Sequence, residues 1–224
     1  MEDILLVPRS LQETLWRIEE ARLGFRGKSP ARVRVALRWI LNRQGLKGSY
    51  RGLFAPTQRD LSEGLRLLTG ERIGPNRRVA MAHVLGEEAL RALALWKSDE
   101  SQPYKNALSN FGEMVDGAKN GRYCCFFCTV GFLRGLTAAR PSGWEAVARD
   151  GVKGIKRWRS GDGRWHGFPY YYTLLTLSGI GLPSARAELK YASKTAEGLI
   201  KRNKDEDRAS RFRRLGLEAA LNAS

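Results

Sequence analysis

Cysteine and histidine are scarce in this chain of 224 residues: three cysteines, all between Cys124 and Cys128, and two histidines, His83 and His166. Cysteines so close together cannot staple distant segments, which argues against a disulfide framework and fits a reducing compartment. Long apolar runs are lacking too. A membrane-spanning helix needs roughly 20 apolar residues, and the run that starts at Tyr123 is ended by Arg134. The opening residues, MEDILLVPRS, carry acids where a secretory leader carries positive charge, so a cytoplasmic location is expected. Alternating strand patterns are almost absent. Gly161 to Gly163 lacks the Lys-Ser/Thr ending of a phosphate-binding loop and any preceding strand.

Positive charge is what the chain has in excess. The formal net charge is +16 and the pI about 10.3, beside a hydrophobic content of 42% and a charged content of 28% typical of a globular protein. Such a balance attracts polyanions, acidic membrane surfaces or phosphorylated ligands. The basic residues are spread along the chain with no polybasic tail, so a solvated repeat surface is the alternative.

The chain also repeats itself. Arg122–Leu136 reads RYCCFFCTVGFLRGL, and Arg164–Gly181 reads RWHGFPYYYTLLTLSGIG. Tyr171, Thr173, Thr176 and Gly179 then stand opposite Tyr123, Cys125, Cys128 and Gly131. Arg77–Leu93 sets His83 against Cys128 and Gly86 against Gly131, and Arg34–Gly45 sets Trp39 against His83. From Trp39 to His83, Cys128 and Thr176 the offsets are 44, 45 and 48 residues. A period of this length marks stacked two-element repeats. Small residues at equivalent positions (Gly86, Gly131, Gly179) would let inner helices approach closely.

Helical spacing and Pro or Gly punctuation predict ten helices. They cover Leu11–Leu23 behind a Ser10/Glu13 capping box, Ala31–Gln44, Thr57–Leu68, a segment from Pro75 to Trp96, Gln102–Ala118, the apolar run from Arg122, Trp144–Trp158, a segment from Pro169, Pro183–Lys201 and Ser210–Leu221. The fold class expected is all-α: about five tandem helical hairpins in one domain over residues 1–224. Charged outer helices would surround greasier inner ones near 31–44, 77–94, 122–138, 169–181 and 210–221, in a toroid-like or solenoid arrangement.

YCCFFCTVG (123–131) and YYTLLTLSG (171–179), with the loop Gly161–Trp165 leading into an aromatic helix, resemble repeats of the protein prenyltransferase β-subunits and of the squalene and hopene cyclases. The resemblance covers residues 105–200. It implies an α/α-toroid with an apolar, aromatic-lined cavity, suited to an isoprenoid-like tail and an anionic head. Those transferases hold zinc with an Asp, a Cys and a His; the matching positions here are Tyr123, Cys125 and Tyr172. The cyclases use a DxDD motif that this chain lacks. The resemblance therefore implies a cavity and carries neither reaction.

The candidate site residues follow from the repeat. His83 and Glu87, at i and i+4, share a helix face and suit a general base oriented by a carboxylate, or part of a metal site; a buried structural pair is the alternative. Cys125 and Cys128 offer a redox pair near a helix start, or part of a metal site that His83, or else His166, would complete; core packing is the alternative. Trp39, Arg122, Cys125, Cys128, Arg164, Trp165, Tyr171, Tyr172 and Thr176 are expected to line the ligand cavity, with Lys119, Arg122 and Arg164 near helix N-termini that favour anions. The sequence specifies no cofactor. Two functions are expected to compete. One is binding or turnover of a small anionic, isoprenoid-like ligand in the cavity. The other is nucleic-acid binding by a basic helical repeat, akin in size and charge to some DNA glycosylases, and a scaffold for a protein partner is a third option. Salt separates the first two, since only nucleic-acid binding should weaken steeply as salt rises.

Overall fold

A computed structural model describes residues 4–27, 29–98, 100–118, 121, 123–204 and 207–223. The fold is all-α. Among the described residues there are ten helices: α1 (Leu11–Arg22), α2 (Pro30–Leu41), α3 (Gln58–Glu63), α4 (Arg78–Leu95), α5 (Gln102–Gly117), α6 (Phe126–Ala139), α7 (Trp144–Lys156), α8 (Tyr170–Ile180), α9 (Pro183–Ile200) and α10 (Arg208–Leu221). The one sheet among them pairs two dipeptides, β1 (Leu65–Arg66) and β2 (Arg72–Ile73). No described helix is long and apolar enough to cross a membrane.

Several boundaries differ from the sequence expectation, three of them for a clear local reason. The third helix stops at Glu63 because Gly64 takes φ 79°, ψ 165°, a conformation that favours glycine, and the chain turns into β1. The sixth starts at Phe126, because Cys124 sits at φ 59° and Cys125 is extended as the N-cap. The tenth starts at Arg208: Asp207 is the cap, and Ser210 is its reciprocal partner three residues in. Ser10 does accept the Glu13 N–H at 3.0 Å, and Thr57 forms a full capping box with Asp60.

The chain forms two compact units. The first comprises residues 1–65 and 73–114. In it α1 packs on α2 and α4, burying Leu11, Leu15 and Ile18 with Ile40, Leu85 and Leu90. Two buried acids tie its helices together. Asp60 accepts from Ser10 Oγ (2.7 Å), the Leu11 N–H (2.9 Å) and the Thr57 N–H (2.8 Å), joining the start of α1 to α3. Glu19 on α1 accepts from Arg22 and from Arg91 of α4 at 2.8–2.9 Å. Gly86 accommodates the loop residue Leu53, whose Cβ lies 2.9 Å from where a Cβ on Gly86 would stand.

The second unit comprises residues 66–72 and 115–224. Here α6, α8 and α10 pack in succession, while α7 packs on α6 and α9 on α7. The close approach expected at Gly179 does not occur, since nothing lies within 4 Å of a Cβ placed there. Gly216 of α10 provides it instead, bringing the backbone onto Leu174 and Leu175 of α8.

Candidate functional site

His83 and Glu87 lie on consecutive turns of α4, and both are 0% exposed. His83 Nε2 is 2.8 Å from Glu87 Oε1, and the Tyr50 ring stacks on the imidazole at a centroid distance of 4.2 Å. The expected helical pairing is present, and it is sealed from solvent. Trp39 is half-buried on α2 beneath the Arg43 guanidinium, 4.9 Å from the ring centroid. Arg43 in turn donates to the Ala55 and Pro56 carbonyls (2.6 and 2.8 Å). Burial lowers the Arg43 pKa from its ordinary value, with the nearby Asp60 opposing.

The second unit holds the other candidates. Cys128 is buried and Cys125 partly exposed, with their sulfurs 3.4 Å apart. Cys125 precedes the helix at its N-cap position, and Cys128 lies in its first turn. Arg164 is exposed in the loop, 3.6 Å from Asp162 and 4.9 Å above the Tyr170 ring. Burial pushes the Tyr170 hydroxyl pKa up to about 12. Trp165 is buried and donates Nε1–H to Glu188 at 3.0 Å. Tyr172 is buried beneath Arg134, and Thr176 is buried with its hydroxyl donating to the Tyr172 carbonyl at 2.8 Å. Tyr171 is half-buried, with Arg213 5.1 Å from its ring centroid. Lys119 and Arg122 lie outside the described residues. Of the residues suggested as metal ligands, His83 belongs to the first unit and Cys125 and Cys128 to the second.

Sequence reasoning missed the acids of this unit. Glu71 Oε1 accepts the N–H groups of Tyr171 (3.0 Å) and Tyr172 (3.2 Å), while Thr69 Oγ donates to its other oxygen. The anion at the start of α8, where a ligand's phosphate was expected, is thus the chain's own carboxylate. Arg213 Nε pins the same turn through the Thr69 carbonyl at 2.7 Å. Glu188 of α9 is buried and accepts both Arg159 nitrogens (3.0 and 2.9 Å) as well as Trp165. A signal for Glu188 exists in the sequence: it falls in the apolar stripe Ala185, Leu189, Ala192, Ala196, where a carboxylate needs a partner.

One long stretch of the first unit is wholly basic. Residues 21–59 contain Arg22, Arg26, Lys28, Arg32, Arg34, Arg38, Arg43, Lys47, Arg51 and Arg59 and not one acid. Helix α2 lies in the middle of this stretch. Its Val33, Ala36, Leu37 and Ile40 are buried, while Arg32, Arg34, Val35 and Arg38 are exposed, Val35 to 57%. Among the described residues, Arg32, Arg34 and Arg38 have no carboxylate partner. The first turn of α4 repeats the pattern with exposed Arg77, Arg78 and Val79, the valine at 64%. The repeat alignment sets Arg34-Val35, in the second turn of α2, against Arg78-Val79, in the first turn of α4, and both pairs are exposed.

Comparison with protein-family models, with curated proteins and with solved structures finds no match to this chain.

Proposed function

We propose that the chain binds nucleic acid, with the exposed face of α2 as the principal contact. The observation that carries the reading is the set of unpaired cations on that face: Arg32, Arg34 and Arg38 in a 39-residue stretch without an acid. Cations left without carboxylates are available to phosphates, and their neutralisation releases counterions. Arginine presents a planar fork of donors that also reads base edges. Val35, exposed among the arginines, offers an apolar contact of the kind a groove-bound helix makes. Fluorescence anisotropy with a short labelled DNA duplex tests the reading. Tight binding at low salt, competed by unlabelled duplex and weakened by R34Q/R38Q, supports it. Binding to anionic vesicles but not to the duplex would replace it with a membrane-surface role.

A second reading, a small anionic and partly apolar ligand, is favoured by an open cavity of about 440 Å³ in the second unit. Leu177, Leu182, Leu189, Ala219 and Ala223 line it, with Arg186 as its cation. It is formed by the C-terminal ends of α8 and α10 and the start of α9, and none of the residues the toroid likeness nominated lines it. Of the residues nominated for the toroid cavity, Cys128, Trp165, Tyr172 and Thr176 are buried. A thermal shift with an isoprenoid diphosphate, absent with inorganic diphosphate and lost in R186Q, is the outcome this second reading requires.

A further inference from the structure

We infer that Cys125 and Cys128 form a redox-active dithiol that exchanges with low-molecular-weight disulfides. The two sulfurs are 3.4 Å apart, and a disulfide bond is about 2.05 Å. Closing that gap is within reach of side-chain rotation. The residues are unequal in the way that exchange chemistry needs. Cys125 is partly exposed at the N-cap position of α6, the positive end of the helix dipole, although its side chain makes no cap hydrogen bond there. Cys128 is wholly buried one turn on, able to meet Cys125 but shielded from outside disulfides.

The loop before the helix is held in place. Thr129 Oγ accepts the Tyr123 N–H at 3.0 Å and lies 2.9 Å from the carbonyls of Tyr123 and Cys125. The Tyr123 ring stacks on Phe132 at 4.8 Å. Cys124, held between these anchors at φ 59°, is exposed. The reactive sulfur is therefore presented by a fixed backbone.

The chemistry balances as two exchanges. The Cys125 thiolate attacks one sulfur of a disulfide RSSR, giving a Cys125–SR mixed disulfide and releasing RS⁻. The Cys128 thiol loses its proton to solvent, and its sulfur attacks Cys125 Sγ, expelling the second RS⁻. Both leaving thiolates take up protons. The chain's dithiol is oxidised to a disulfide by two electrons, and RSSR is reduced to two RSH.

Oxidised glutathione on the purified full chain, followed by alkylation and peptide mass mapping, tests the assignment. In the wild type, Cys125 and Cys128 should become one intramolecular disulfide, with a loss of two hydrogens and Cys124 still alkylated. C128S should stop at one glutathione on Cys125, and C128A should give the same trapped product should the serine disturb the core. C124S should behave as wild type, and C125S should slow oxidation by about tenfold or more. Full alkylation of all three thiols at every glutathione ratio would overturn the inference. So would a disulfide that joins two chains or that uses Cys124.

Discussion

Glu71 and Tyr171, a hundred residues apart in sequence, meet where the Glu71 carboxylate accepts the Tyr171 N–H at 3.0 Å and caps α8 from the turn between β1 and β2. A carboxylate at a helix start satisfies orphan N–H groups and opposes the helix dipole. Replacing Glu71 by Ala should lower stability by about 1–2 kcal/mol. Glu71→Gln, which keeps an acceptor, should cost less. Urea unfolding of the two variants checks the order.

Glu188 should matter more, because its loss leaves Arg159 and the buried Trp165 indole without their shared acceptor. Glu188→Ala is expected to cost about 2–3 kcal/mol. The variant should also change the near-ultraviolet circular dichroism of Trp165 before any global transition. An unchanged unfolding midpoint would mean that the cluster contributes no net stability.

The acid response of the first unit should be governed in part by Glu19. Burial alone would raise its pKa, but Arg91 and Arg22 outweigh this and hold it well below the ordinary carboxyl value of 4.5. A carboxylate depressed in the folded state contributes stability that is complete above the unfolded value and lost as pH falls through the folded one. Stability should thus decline on acidification from about pH 5 downward. Glu19→Gln should be less stable at neutral pH and should show a shallower acid limb, measured as urea midpoints against pH.

The buried pair His83 and Glu87 is expected to be structural. Glu87→Gln should cost on the order of 3 kcal/mol, as breaking a buried pair does. At temperatures where the variant remains folded, its affinity for duplex DNA should equal the wild type's. A selective loss of DNA-linked activity with stability intact would restore the pair as a catalytic candidate.

The helices were legible because their punctuation is local: Pro30 and Pro183 at first turns, Thr57 and Ser10 as caps, and Gly181 after α8 all act within a few residues. The start of α6 was not. Its apolar run looks continuous through Tyr123 and Cys124, and only the hydroxyl of Thr129, hydrogen-bonded back to Tyr123, shows why the backbone turns there. The acids Asp60, Glu71 and Glu188 read as ordinary surface charges, because their partners lie up to a hundred residues away. The same holds for the exposed face of α2. The repeat makes it an inner helix, whereas burial is confined to Val33, Ala36, Leu37 and Ile40 and the arginines stay in water.

The most direct test of the central claim is the salt dependence of duplex DNA binding by the wild type and by R32Q/R34Q/R38Q. Each lost phosphate contact should reduce the log–log slope by about 0.9, so the triple variant should bind more weakly with a slope shallower by about 2–3. Equal affinity and equal slope in the two proteins would contradict the account and remove α2 from the interface.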